Sequence, residues 1–154
     1  MPPSFRFQTI LDIRKRREDE QQMVLAQALQ AAASLRARQQ RMLEERLHTA
    51  EDLKATLRGP LDTSDVEQRY RYLSSLDLQL ARLADEIAQA DEAVLAQRNR
   101  LAEVMKDRKT MDRLKENDYQ LFLNEYQQQE QKATDELNLT RRSRQAQDGD
   151  DPTP

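Results

Sequence analysis

Few residues in this chain have the type and spacing for bond-making chemistry. The sole histidine, His48, sits between Leu47 and Thr49 with Glu51 close by, and its setting is that of an exposed helical side chain rather than a general base. With one His and no Cys, no Ser/His/Asp or Cys/His nucleophile set and no thiolate zinc site can be assembled. Asp148, Asp150 and Asp151 have the composition of a calcium loop without its twelve-residue spacing or closing Glu. The two glycines, Gly59 and Gly149, leave no phosphate-cradling loop. The expectation is a protein without catalytic residues, cofactor or metal. The sharper features are those of contact. One is the charge block Arg14-Lys15-Arg16-Arg17-Glu18-Asp19-Glu20. The other is a set of seven aromatics in two groups, Phe5, Phe7, Tyr119, Phe122 and Tyr126 in one and Tyr70 and Tyr72 in the other.

The elements that carry these residues follow from composition. Of 154 residues, 37% are apolar and 34% charged, against roughly 45–50% and about 25% in an average globular domain. Too little apolar side chain is present to fill a compact core. The net charge of −3 argues against nucleic acid, whose binding rests on a basic surplus. The longest apolar runs are four residues, Met23 to Ala26 and Ala93 to Ala96, where a membrane span needs about 20. The reading is cytoplasmic and without a spanning segment.

Helix-breaking residues occur only at the ends and at Gly59-Pro60. The pattern predicts helix 1 over about 5–58, a turn at 59–64, helix 2 over about 65–140, and a disordered acidic tail at 145–154 after a domain of residues 1–144. Gly59 can end the first helix in the left-handed conformation, with Pro60 unable to continue it. Ser64 and Glu67 have the spacing of a capping box for the second.

Periodicity is the strongest signal. A 3-4 spacing from Val66 runs through Arg69, Leu73, Leu76, Leu80, Leu83, Ile87, Ala90, Val94, Gln97, Leu101, Val104, Arg108 and Met111, and eleven of these fourteen positions are apolar. So narrow a stripe means a left-handed coiled coil. Helix 1 carries a weaker stripe, Leu25, Ala28, Ala32, Leu35, Gln39 and Met42, which drifts to Leu43, Leu47, Ala50, Leu53 and Leu57. Between Arg14 and Gln22 it carries no apolar residue, so the charge block interrupts the seam. Joined by a short turn, the helices form an antiparallel hairpin. That register pairs Leu57 with Val66, Leu53 with Tyr70, Leu47 with Leu76 and Leu43 with Leu80, and sets Phe7 near Glu116. Helix 2 then overruns the start of helix 1 by roughly 20 residues, or about 30 Å. The fold class is all-α: a long antiparallel two-helix coiled-coil hairpin with an unequal open end. The first aromatic group gathers at that end. The run Leu121-Phe122-Leu123 cannot be covered on every side by two helices, so part of it faces solvent or a partner.

These residues resemble the flagellar type III export stalk family (FliJ). The likeness lies in Phe5-Arg6-Phe7-Gln8-Thr9-Ile10-Leu11-Asp12-Ile13-Arg14, in Tyr72-Leu73-Ser74-Ser75-Leu76 followed by Leu80, and in the stretch from Lys106 to Lys115. It is most specific at Glu130-Gln131-Lys132 followed by Asp135-Glu136. The resemblance implies a fold similar to the γ-subunit stalk of rotary ATPases. Its partners would be a hexameric export ATPase, the cytoplasmic region of the membrane export gate, and export chaperones that the stalk helps to recycle. By matching position, Phe7, Leu11, Ile13, Arg14, Arg17, Leu121, Phe122, Glu130, Lys132, Asp135 and Glu136 would meet the ATPase. Met42, Tyr72, Leu76 and Leu83 would meet the gate. Glu45, Thr49 and Gln79 depart from the more apolar pattern of that second surface. The resemblance implies a part in flagellum biogenesis and chemotaxis, as a peripheral protein at the cytoplasmic face of the inner membrane. A virulence secretion stalk and a non-enzymatic coiled-coil chaperone or scaffold are the alternatives.

Overall fold

A computed structural model describes residues 3–149. It is all-α, with α1 at Gln8–Arg58 and α2 at Thr63–Asp148, packed against each other as a helical hairpin. No strand occurs among the described residues. Contacts divide the chain into two compact units: Lys15–Lys106, and the segments before Lys15 and after Lys106.

In the unit Lys15–Lys106, antiparallel order is fixed by polar bonds at successive levels. Gln21 meets Gln97, Arg36 meets Asp91, Arg46 meets Asp77, and Asp52 faces Arg69 at 3.9 Å. The α2 stripe turns inward as its spacing requires. Leu76 and Leu83 are 2% and 3% exposed, Ile87 and Val94 are buried, and the intervening stripe positions are half-buried.

The α1 stripe corrects two expectations. It does not drift after Met42 but runs on through Thr49, Leu53 and Thr56, with Arg46 between them reaching across to Asp77. Leu43, Leu47 and Leu57 are 45%, 61% and 45% exposed, so Leu47–Leu76 and Leu43–Leu80 are not seam pairs. A one-residue shift would break the match to the unbroken heptads of α2, and that register outweighs the burial of three leucines. Nor does the charge block interrupt the seam. Glu18 is buried and Gln21 half-buried on the same spacing, so the helix keeps its period and fills the seam with polar side chains.

The turn is also tighter than expected. Asp62 caps α2: its Oδ1 accepts the Ser64 amide at 3.1 Å and its carbonyl accepts the Val66 amide at 3.1 Å. Ser64 is thereby inside the helix, and Glu67 accepts Arg71 at 2.7 Å instead of closing a capping box. A carboxylate is the better cap at the positive end of the helix dipole. No described residue has positive φ, so Gly59 does not take the left-handed form. Its amide bonds the Thr56 carbonyl at 3.3 Å, and Pro60, lacking a donor, ends the helix.

In the other unit, Leu11 is fully buried and Met111 is 7% exposed. Arg14 Nη1 donates to the Asp107 carbonyl at 2.8 Å, and Lys115 Nζ to Gln8 Oε1 at 3.0 Å. Arg108 pairs with Asp112 at 2.6 Å on α2. The helix outlasts the expected end near 140, reaching Asp148; of the expected tail, residues 150–154 lie outside the described ones. Every residue from Asn124 to Gly149 is exposed.

Candidate partner-binding end

The Phe5–Phe122 end is assembled by the start of α1 and the middle of α2. The Gln8 amide bonds the Phe5 carbonyl at 3.1 Å, so the chain turns through Phe5–Phe7 before α1 begins, three residues later than the spacing predicts. Phe5 and Phe7 meet edge to face, centroids 5.9 Å apart at 73°, and the Arg6 guanidinium lies 5.4 Å from the Phe7 ring. Phe122 and Tyr126 are stacked one turn apart on α2, with centroids at 6.4 Å. Phe5, Tyr119 and Phe122 line one cavity of about 490 Å³, with Arg6, Lys115 and Asp118 around it. Three of the five aromatics expected at this end thus border a hollow, and Phe7 and Tyr126 are not in its lining. The surrounding charges were not anticipated; their only signal is that they flank the aromatics in sequence.

The residues matched to the ATPase fall into two kinds. Leu11 is spent in the core, Arg14 holds Asp107, and Phe7 and Phe122 are half-buried. Ile13 and Leu121 are exposed, as are Glu130, Lys132, Asp135 and Glu136 along α2. Arg17 is exposed in the other unit. Tyr126 donates to Glu130, and the neighbouring carboxylate pushes the phenol above its ordinary value.

Of the residues matched to the gate, Leu76 and Leu83 are buried in the seam and Met42 is half-buried. Only Tyr72 is at the surface, 43% exposed. Its hydroxyl bonds the Glu45 carboxylate, which raises the phenol's pKa. The departures from the family pattern find their place here. Glu45 is the partner of Tyr72, Thr49 donates to the Glu45 carbonyl at 2.9 Å, and Gln79 lines a shallow groove floored by Met42 and Leu83.

His48 is an open surface side chain, 75% exposed and 3.5 Å from Asp52. Among the described residues no group of three or more His, Cys, Asp or Glu is placed to hold a metal, and no helix is long and apolar enough to cross a membrane. The fold defines an all-α helical hairpin. Residues 3–147 match the family described as Flagellar FliJ protein, and the chain belongs to it. That family is a non-enzymatic one of the export stalk or chaperone-like kind, which ties the chain to flagellar protein export. No curated protein and no solved structure matches the chain.

Proposed function

We propose that this chain is the central stalk of the flagellar export apparatus. Its aromatic end enters a hexameric export ATPase, and a second surface biases the membrane export gate. The observation that carries the reading is the pairing of an aromatic-lined cavity with a helix that stays exposed from Asn124 to Gly149. Leu121, 60% exposed beside that cavity, is apolar surface that a partner would cover. Ile13, Phe122, Glu130, Lys132, Asp135 and Glu136 are the ATPase contacts in this reading. Two helices cannot match six-fold symmetry, so ring subunits engage the stalk unequally, and ATP turnover moves or biases it. Coupling requires that the gate's states differ in contact energy with the stalk. Tyr72 is the exposed gate contact, with Met42, Leu76 and Leu83 supporting it from the seam. The chain then sits at the cytoplasmic face of the membrane through its partners.

The test is the purified ATPase with and without the chain. Faster ring assembly and ATP turnover are expected, and Phe122→Ala with Leu121→Glu should abolish both. An unchanged ATPase overturns the reading. Leu137 and Leu139 are 62% and 64% exposed, which favours a client-holding chaperone as second reading. Binding of unfolded export substrate without any effect on the ATPase would select it.

A further inference from the structure

The two flanks of the unit Lys15–Lys106 are chemically unlike. One step past the α1 seam positions from Leu25 to Thr49 lies a second 3-4 stripe, Ala26, Leu29, Ala33, Leu43, Leu47 and Ala50, broken by Arg36 and Gln40. The same step on α2 gives Ala81, Ala84, Ala88, Leu95 and Ala102, with Asp77, Asp91 and Arg98 among them. The two stripes share one side of the hairpin, because Leu29, Ala33, Arg36, Asp91 and Leu95 line a single groove of about 500 Å³. The opposite groove is lined by Arg38, Gln79, Arg82 and Glu86 over Met42 and Leu83. Single exposed leucines need no explanation. A second heptad stripe confined to one flank does, since a coiled-coil helix with two adjacent seams is built to touch two neighbours.

We infer that this flank is a self-association surface, and that a second copy of the chain packs on it about a two-fold axis running along the helices, to make a four-helix bundle. Charge and size both fit this occupant. On this side α1 carries the cations Arg36 and Arg46, and α2 carries the carboxylates Asp91 and Asp77 that they bond within the chain, with Arg98 one turn beyond Leu95. A two-fold of that kind sets α1 of each copy beside α2 of the other at the same level. Each arginine then lies between two carboxylates in an alternating square. Arg36 binds both oxygens of Asp91 through Nη2 alone, so its Nε and Nη1 can serve the second copy. The same operation lays Leu43 and Leu47, 45% and 61% exposed, against the Ala81–Ala84 stretch. Small residues on one helix there accept large ones from the other. The surface is self-complementary in the way an isologous interface requires, and it uses none of the residues given to the ATPase or the gate.

Sedimentation equilibrium of the full chain over rising concentration tests this. A mass of twice 18.1 kDa is expected, reverting to one chain in Leu43→Glu/Leu47→Glu with helical circular dichroism unchanged, since both side chains are outside the seam. Arg38→Glu on the opposite flank should leave the doubled mass intact. Arg36→Asp and Asp91→Arg should each be monomeric alone and pair when mixed. A single-chain mass at every concentration overturns the inference. So does a doubled mass that survives the leucine substitutions, which would place the contact elsewhere.

Discussion

Gln21 and Gln97 face each other inside the seam. The Gln21 side-chain amide donates to Gln97 Oε1 at 2.6 Å, where every neighbouring layer of α2 is apolar. A polar layer of this kind lowers stability slightly while penalising other registers, in which either amide would lose its partner.

Gln97→Leu alone should therefore destabilise the hairpin by about 1 kcal/mol, because the half-buried Gln21 amide keeps only its longer bond to the residue 97 carbonyl, at 3.4 Å. Gln21→Leu with Gln97→Leu should recover or exceed the original stability. Urea unfolding followed by circular dichroism reads both, and additive losses in the double variant would show that the pair is not coupled.

Burial predicts a sharp contrast between leucines. Leu83→Ala, at 3% exposure, should cost about 2–3 kcal/mol through lost contact and a residual cavity. Leu47→Ala, at 61% exposure, should lie within about 0.5 kcal/mol of the parent in the monomer. Equal losses would place Leu47 in the seam after all.

The cap offers a second contrast, between adjacent polar residues. Asp62→Ala should cost about 1 kcal/mol and fray the start of α2, because the Ser64 amide loses its acceptor. Ser64→Ala should be close to neutral. Thermal melts of the two variants decide which residue caps the helix.

Tyr72 carries a pH signature. Its bond to Glu45 raises the phenol above the ordinary 10.0. The protonated phenol is the form that the fold favours. This contribution is present in full below the unfolded value and lost as pH rises through the folded one. Asp77 has the opposite sign: Arg46 holds its carboxyl below 3.8, so its contribution is present above that value and lost as pH falls through the folded one. Alkaline ultraviolet titration should show two late-ionising tyrosines, Tyr72 and Tyr126, of which only Tyr72 becomes ordinary in Glu45→Gln; no difference between the spectra would contradict the bond.

The helices and the α2 stripe were legible because they are local matters. Period and the absence of helix breakers act along one chain segment, and all fourteen α2 stripe positions left the solvent as their spacing required. The turn chemistry was legible in kind but not in detail, since Asp62, Thr63 and Ser64 can each cap a helix and the chain length between the paired helices selects among them. Buried Glu18 and the exposed Leu43 and Leu47 were misread for one reason. Hydropathy says which residues prefer burial, whereas a rigid partner helix decides which positions receive it.

The amino-acid order alone determined two long helices, one reversal and a seam, because backbone hydrogen bonding and a 3-4 apolar repeat are properties of a single strand of residues. Only the tertiary structure decided which flank was left bare, that Tyr72 belongs to Glu45, and that Phe5, Tyr119 and Phe122 surround a hollow. Those outcomes depend on the sliding register of one helix against another, which is settled by the summed contacts of the whole interface rather than by any residue within it.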